Sequence, residues 1–377
     1  MKIVNKLCLI LLFLSIFSLI NCGEKNDGQE KPVIEEGKDE KETHYSWEKS
    51  RTSLIECNDM VLLYSGGAHR TYQWSEDYVE PYVTYKDESG QEKWLFDSFL
   101  FLEIYNGNKT FATGYRDVPA NQQDWRLLVD HYFQSRYCVG ALKRSIDNAS
   151  ERIGKPSTKR KIVIGIPEPV TNQKDWGSVR NGEALDFSKS EDRIAACKWY
   201  IDYVRAKFNE MNCDNIELAG FYWIAENATT TRTIVGEVSK YLNSMHYSFN
   251  WIPYFKAPGY LEWKDLHFNY AYLQPNYFFN ESVPKSRLDE ACQLAIKYEM
   301  DMEVEFDERA LVLSRNNWGY RLVDYLEAFK KHGIWSDKRI AYYQGGTTLY
   351  ELAKSPEAKD RELYHYFCKF VSERSPQ

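Results

Sequence analysis

Acidic and apolar residues alternate in the segment from Met300 to Asp307. Successive side chains of an extended chain point to opposite sides, so the four acids would share one face. These acids are Asp301, Glu303, Glu305 and Asp307. Burying carboxyl groups is costly unless they are paired or functional. On an edge strand the acidic face would simply be solvated, whereas inside a closed barrel it would supply carboxylates for acid–base or nucleophilic chemistry.

A second candidate carboxylate, Glu226, follows the aromatic run Phe221-Tyr222-Trp223. Tyr222 and Glu226 have the same parity along a strand. A glutamate beside aromatic surface in a partly desolvated site should have a raised pKa, which is what a general acid needs. Glu226 could equally be a plain loop carboxylate before a helix that begins at Thr229.

Eight short apolar runs recur along the chain and are separated by helical or polar stretches. They are residues 59–64, 99–105, 161–166, 216–224, 247–254, 268–276, 299–307 and 339–344. Ile194, Cys197, Ile201 and Val204 form one apolar stripe of an intervening helix. Further helices are expected after the second run, near residues 261–266, and at 285–298, 318–331 and 357–371. This alternation predicts a single large (β/α)8 barrel over residues 51–377. The alternative, an open doubly wound sheet, is disfavoured because Ser65-Gly66-Gly67 is too short for a dinucleotide fingerprint.

A barrel of this kind builds its active site at the carboxyl-terminal ends of its strands. Besides Glu226 and Glu305, the candidate ligand contacts there are Tyr64, His69, Arg70, Glu103, Tyr222, Trp223, Trp251, Tyr254, Gln274, Asn276, Asp307 and Tyr343. Only His69 of the seven histidines lies near such an end, so a multi-histidine metal hydrolase is not expected. We expect no metal and no cofactor, although the acids of 301–307 could instead hold Ca²⁺.

The amino terminus has the layout of a secretory signal that ends at a cysteine. Lys2 and Lys6 precede an apolar stretch from Leu7 to Ile20, which is short for a membrane span, and Cys22 stands where cleavage should fall. This layout resembles a bacterial lipobox, although Asn21 replaces the usual small residue. Residues 1–21 are therefore expected to be a lipoprotein signal peptide and Cys22 to be lipidated. The charged stretch 22–50 is expected to be a flexible tether, which places the barrel in the cell envelope.

The amino-acid composition limits the classes of partner that the protein is expected to bind. The net charge of −7 and a pI near 5.7 argue against nucleic acid, and the lipid anchor is the expected membrane contact. The chain has 11 Trp, 28 Tyr and 19 Phe, a surplus that suits flat, hydroxyl-rimmed ligands such as sugars. Six cysteines remain after Cys8 and Cys22, with no close pairs, and they are expected to be buried free thiols.

Three stretches carry a family resemblance: Asp59 to Gly67, Trp94 to Leu102, and Gly220-Phe221-Tyr222-Trp223. They resemble an uncharacterised family of bacterial secreted proteins and lipoproteins, domain of unknown function 4855. The resemblance implies a barrel of glycosidase type and brings no established activity. More distantly, the chain is similar to retaining (β/α)8 glycoside hydrolases. That similarity implies an acid/base glutamate at Glu226 and a nucleophile at Glu305, with Glu303 or Asp307 as alternatives. One departure is that Asn227 follows Glu226, whereas those enzymes have Asn before this glutamate.

Together these features favour a retaining glycoside hydrolase that acts on extracellular or periplasmic glycans. The alternative is a non-catalytic carbohydrate-binding lipoprotein that keeps the aromatic mouth of the barrel. In both cases the expected partner is a carbohydrate, with Trp223, Trp251 and Tyr254 stacking on sugar rings.

Overall fold

The computed structural model describes residues 54–179 and 182–374. The expected signal peptide (1–21), the lipidation site Cys22 and the tether (22–50) lie outside these residues and stay predictions. In the described ranges, no helix combines the length and the apolar character that a membrane span requires.

Thirteen strands lie in the described residues: β1 (Asp59–Tyr64), β2 (Thr84–Lys86), β3 (Glu92–Trp94), β4 (Ser98–Leu102), β5 (Tyr105–Asn106), β6 (Lys109–Thr110), β7 (Val118–Pro119), β8 (Arg160–Ile166), β9 (Ile216–Trp223), β10 (Ser248–Trp251), β11 (Tyr270–Leu273), β12 (Asp301–Glu305) and β13 (Ile340–Tyr343). Eight of them form a closed parallel barrel in the order β1-β13-β12-β11-β10-β9-β8-β4. Each apolar run of the sequence contains one barrel strand. The predicted (β/α)8 architecture is therefore confirmed.

Helices cover the outside of this barrel: α1 (Glu76–Val83), α2 (Gln122–Tyr132), α3 (Cys138–Ile153), α4 (Ser190–Glu210), α5 (Val235–Asn243), α6 (Ser286–Lys297), α7 (Gly319–Lys331), α8 (Ile334–Asp337), α9 (Thr348–Lys354) and α10 (Ala358–Ser372). The stripe of α4 faces inward, with Cys197, Ile201 and Val204 fully buried. Between β10 and β11 the expected helix is a 3-10 turn, Tyr260–Glu262. The helix after Glu226 begins at Val235 rather than Thr229, because Thr230 is drawn into a hydrogen bond with Glu168.

The barrel strands are buried on both faces, which explains why their sequences lack alternation. All six residues of β1 and all seven of β8 are buried. Gly220 of β9 pairs with Ser248 of β10, and a Cβ at this position would collide with the Ser248 side chain and carbonyl. A glycine is thus required for β9 and β10 to approach.

A small insertion follows β4 and was not expected from the sequence. The second apolar run of the sequence extends to Tyr105, but β4 ends at Leu102 and Tyr105 begins a separate three-stranded sheet, β5-β6-β7. Each of its strands has two residues. The insertion leads from the carboxyl-terminal end of β4 to α2, so it lies on the side of the barrel where an active site is built.

Polar residues close the opposite end of the barrel. Asp59 is fully buried, accepts a hydrogen bond from Tyr342 at 2.6 Å and pairs with Arg374 at 2.9 Å. Asp97 accepts from the backbone N–H of Asp59 and pairs with Lys161 at 3.0 Å. The six cysteines in the described residues are free thiols, and all but the half-buried Cys213 are buried, as expected.

Candidate active site

Glu226 follows β9 directly and lies at the wall of a cavity of about 400 Å³. Its side chain is half-buried, and Gln274 donates a hydrogen bond from Nε2 to its Oε1 at 3.2 Å. Burial raises the pKa of Glu226, and the bond from Gln274 opposes this shift only partly. The carboxyl group is thus placed to hold a proton beside an open space.

Glu305 is the last residue of β12, and its side chain accepts three hydrogen bonds. Oε2 accepts from the backbone N–H of Asn276 and from the Tyr325 hydroxyl, both at 2.6 Å, and Oε1 accepts from Asn276 Nδ2 at 3.2 Å. The pKa of Glu305 is raised to about 7, because burial and the negative charge of Glu226 raise it by more than these donors lower it. Three donors therefore stabilise the ionised form of a carboxylate that is only 1% exposed.

Glu303 lies two residues before Glu305, on the same face of β12, and is 2% exposed. Within the described part of the chain, its Oε1 has no hydrogen-bond partner. Burial raises its pKa well above the ordinary range, and the charges of Glu305 and Glu226 raise it further. Both effects disfavour the charged form, so the folded protein favours a protonated Glu303.

The other two acids of the alternating segment form contacts of their own with neighbouring residues. Asp301, at the start of β12, accepts from the backbone N–H of Arg339 at 3.0 Å. Asp307 caps the 3-10 helix Glu308–Ala310 and pairs with Arg309 at 2.5 Å. The acidic face is therefore buried in the barrel and not solvated, but it is divided along its length. Among the described residues no group of three or more His, Cys, Asp and Glu side chains could hold a metal ion, which gives the Ca²⁺ alternative no support.

Phenol rings surround the carboxylates. Tyr64, at the end of β1, packs edge-on against Tyr343, at the end of β13, with ring centroids 5.8 Å apart. Burial and the charge of Glu226 raise the pKa of both Tyr64 and Tyr222, which places these rings close to Glu226. Tyr254 is half-buried and lines the cavity with Glu226. The structure thus brings these four predicted tyrosines together.

The side of the mouth formed by β1 and β4 is already occupied by protein contacts. Glu103 is buried and accepts two hydrogen bonds from Arg70, both at 2.8 Å, and one from the backbone N–H of Gly67 at 3.1 Å. His69 is exposed and stacks on Tyr105, with ring centroids 4.0 Å apart. Arg70 and Glu103 therefore hold each other, and His69 lies at the rim.

The structure does not bring Trp223 and Trp251 to the mouth, so their expected role in sugar stacking is not met. Both are fully buried. Trp251 stacks on Phe268 at 4.8 Å and donates to the carbonyl of Ala225 at 2.7 Å, and Trp223 packs edge-on against Phe249 at 5.9 Å. Strand alternation explains this placement, because Trp223 has the opposite parity to Tyr222 and points into the outer layer.

Sequence reasoning missed four residues of the site: Tyr325, Tyr115, Thr230 and His131. Tyr325 comes from α7, and nothing in the sequence distinguishes it from the other core residues of that helix. Tyr115 and Thr230 lie in connections, where strand ends give no signal. Glu168, which follows β8 between two prolines, is buried in the cavity wall and accepts hydrogen bonds from Thr230 Oγ1 at 2.6 Å and from the backbone N–H of Thr113 at 2.8 Å. His131 of α2 bonds Ser65 at 2.8 Å, so His69 is not alone near a strand end.

Fold and site together define a (β/α)8 barrel with glutamates gathered at its carboxyl-terminal mouth. A family model described as a domain of unknown function (DUF4855) matches residues 59–369, so the chain belongs to that family. No curated protein matches the sequence significantly.

Solved structures with distant similarity include two glycoside hydrolases. An endo-beta-1,4-mannanase from Thermotoga petrophila is 12% identical, with a TM-score of 0.39, over 88% of this chain and 74% of that one. An endo-1,4-beta-xylanase from Caldicellulosiruptor owensensis is 10% identical, with a TM-score of 0.38, over 82% of this chain and 90% of that one. Concanavalin B is 10% identical, with a TM-score of 0.38, over 84% and 99%. These are likenesses of fold, and each activity belongs to that protein.

Proposed function

We propose that this protein is a retaining glycoside hydrolase in which Glu226 is the general acid/base and Glu305 the nucleophile. The observation that carries the proposal is the unequal hydrogen bonding of the two carboxyl groups. Glu305 accepts three hydrogen bonds, which favour its ionised form, whereas Glu226 accepts one and is otherwise desolvated. Two carboxyl groups whose surroundings favour opposite protonation states are what this chemistry needs.

The hydrogen bonds of Glu305 indicate which of its two oxygen atoms attacks. Glu305 Oε1 has one donor and Oε2 has two shorter ones, so Oε1 is the better nucleophile. It attacks the anomeric carbon while Glu226 transfers its proton to the departing glycosidic oxygen, and the glycosidic bond breaks. Glu226 then removes a proton from water, which attacks the same carbon and releases Glu305 from its ester.

The lining of the cavity indicates which glycans fit. Its polar groups are the carboxyl groups of Glu168 and Glu226, the amide of Asn227 and the hydroxyls of three threonines, and its aromatic side chains are Tyr115 and Tyr254. Among the described residues that line it there is no lysine or arginine. A neutral sugar or an amino sugar suits this surface, whereas a uronic acid would meet like charge.

The experiment is a reducing-sugar assay on neutral, amino-sugar and uronic-acid polysaccharides. Glu226→Gln and Glu305→Gln should each lower kcat by about 10²–10⁴-fold. Glu217→Gln, at the opposite end of β9, is the matched control and should keep full activity. The proposal fails if the wild type hydrolyses a glycan and both variants keep that activity.

The competing function, carbohydrate binding without catalysis, is favoured by one observation, the 1% exposure of Glu305. A sugar cannot reach this carboxylate without movement of the residues above it. Binding of an oligosaccharide with no turnover, unaffected by Glu305→Gln, would select this function.

We further propose that Cys22 carries a lipid and holds the barrel in the cell envelope through the charged stretch 22–50. The support is the sequence layout described above. Metabolic labelling with radioactive palmitate should mark the wild type, and Cys22→Ser should lose both the label and the membrane association. An unlabelled wild type would contradict the anchor.

A further inference from the structure

The carboxyl groups at the centre of the barrel are closed off from solvent, although Glu226 borders an open cavity. Glu303 and Glu305 are 2% and 1% exposed, and the open cavity lies beside Glu226 without reaching either of them. Some part of the mouth must therefore move before a ligand contacts the centre of the barrel.

Most of the covering rings are held by the barrel itself. Tyr64, Tyr222 and Tyr343 belong to the paired strands β1, β9 and β13. Tyr254 follows β10, and its backbone forms a bridge to Gln274. Displacing any of these rings by moving its backbone would break the hydrogen bonding of the barrel.

Tyr115 differs from these rings because it comes from the connection between β6 and β7. It lines the cavity together with Glu226 and Tyr254. Its ring therefore lies at the mouth, beside the carboxyl group that would serve as general acid.

The segment that carries Tyr115 makes few contacts with the rest of the protein. Residues 113–118 are all exposed, and Gly114 has a φ of 98°, in the region that favours glycine. Among the contacts of the described residues, the Tyr115 side chain has no hydrogen bond and no ring partner. Arg116 holds the segment from outside: it donates to the carbonyls of Gly107 at 3.0 Å and Tyr115 at 2.7 Å, and its guanidinium lies 3.6 Å from the centre of the Tyr105 ring.

The attachments on either side of this segment are firmer. The backbone N–H of Thr113 donates to Glu168 at 2.8 Å, and the N–H of Ala120 donates to the carbonyl of Thr110 at 2.9 Å. Residues 114–117 can therefore rotate between two fixed points.

We propose that Tyr115 is a gate and a substrate contact: its ring narrows the cavity beside Glu226 in the free protein, swings outward to admit the sugar towards Glu305 and then closes against it. The gating role stands on the geometry alone, and the substrate contact rests on the proposed function. Arg116 is the latch that favours the closed position.

Chemical access to the carboxyl groups tests the gate without any substrate. A water-soluble carbodiimide with glycine methyl ester modifies accessible carboxyl groups, and mass spectrometry of peptides reports the rate at Glu226 and Glu305. Tyr115→Ala should accelerate both rates by about tenfold, since it shifts a local opening equilibrium, and Tyr115→Phe should not. Arg116→Ala keeps the ring but removes the latch, so it should accelerate the reaction as well.

The modification experiment has two controls. Tyr320→Ala removes an exposed tyrosine from helix α7 and should leave both rates unchanged. Glu217, half-buried at the other end of β9, should react at one rate in every variant. Equal modification of Glu226 and Glu305 in wild type, Tyr115→Ala and Arg116→Ala overturns the gate.

Activity measurements then separate the gate from the chemistry. If a glycan substrate is found, Tyr115→Ala should raise KM about tenfold with a smaller change in kcat, because it loses a contact to the bound sugar. Faster modification of the carboxyl groups without any hydrolysis would support the gate and contradict the proposed glycoside hydrolase activity. Hydrolysis with an unchanged KM in Tyr115→Ala would reject the substrate contact.

Discussion

Glu226 and Glu305 end strands that stand three places apart in the barrel, yet two amide side chains connect them. Gln274 donates to Glu226 Oε1 at 3.2 Å, and Asn276 donates to Gln274 Oε1 and to Glu305 Oε1, each at 3.2 Å. The backbone N–H of Phe255 donates to the side-chain oxygen Oδ1 of Asn276 at 2.9 Å, which fixes the orientation of that amide. A change of charge at one carboxyl group is therefore felt at the other both through space and through this connection.

Tyr325→Phe should shift the acid limb of the pH profile upward. The variant loses the 2.6 Å bond to Glu305, and a hydrogen bond to a charged group contributes about 1.5–3 kcal/mol, or about 1–2 pKa units. Glu305 must be ionised to attack, so activity falls as pH drops through its pKa, which is about 7 in the wild type. The measurement is kcat/KM against pH.

Tyr320→Phe is the matched control, since Tyr320 belongs to the same helix and is exposed. Its profile should overlay that of the wild type. An unshifted acid limb in Tyr325→Phe would show that Glu305 is not the group whose ionisation limits the reaction.

The barrel was predictable because each strand is a continuous apolar run and the intervening helices carry clear stripes. The divided roles of the 301–307 acids were not predictable from alternation alone. Alternation places Asp301, Glu303 and Glu305 on one face, but depth along the axis decides their partners: Arg339 near the start of β12 and Tyr325 with Asn276 at its end.

The aromatic residues show a second limit of prediction from the sequence. Trp223 follows Tyr222 directly, and strict use of strand parity would have assigned it to the outer layer. Tyr115 gave no such signal, because its place over the mouth depends on the path of a connection between two-residue strands. Long-range placement of that kind is a property of the folded chain and not of any local pattern.

Trp251 and Tyr254 should therefore respond differently to substitution. Trp251→Ala removes a fully buried indole from the core and should cost about 3–5 kcal/mol of unfolding free energy. Tyr254→Ala removes a half-buried ring from the cavity wall, so it should leave stability nearly unchanged and weaken oligosaccharide binding. Urea unfolding and calorimetric titration measure the two effects, and a stable Trp251→Ala that loses binding would reverse the assignment.

Arg374→Ala should destabilise the barrel without changing its chemistry. The substitution removes the guanidinium that neutralises the fully buried Asp59, and breaking a buried ion pair costs about 3–5 kcal/mol. The pair lies at the end of the barrel opposite the carboxylates, so kcat of the folded protein should be unchanged. Urea unfolding tests this, with the exposed Arg361→Ala as control. A loss of stability no greater than that of Arg361→Ala would contradict the role of the pair.

Glu303→Gln should stabilise the protein at neutral and alkaline pH. The pKa of Glu303 is raised by burial and by its acidic neighbours, so the folded state holds this proton more tightly than the unfolded state does. Between the unfolded and the folded pKa the folded state binds more protons, and stability falls as pH rises through that window. An amide has nothing to ionise, so the variant escapes this loss.

The gain should appear as a Tm increase of a few degrees at pH 8 and should disappear at about pH 4, where Glu303 is protonated in both states. Glu217→Gln, which alters a half-buried glutamate at the other end of the barrel, controls for the general effect of removing a carboxylate. A Tm gain of equal size at both pH values would mean that packing, and not ionisation, is responsible. A loss at pH 8 would mean that Glu303 is ionised and useful in the folded protein, which would make it a rival to Glu305 as the nucleophile.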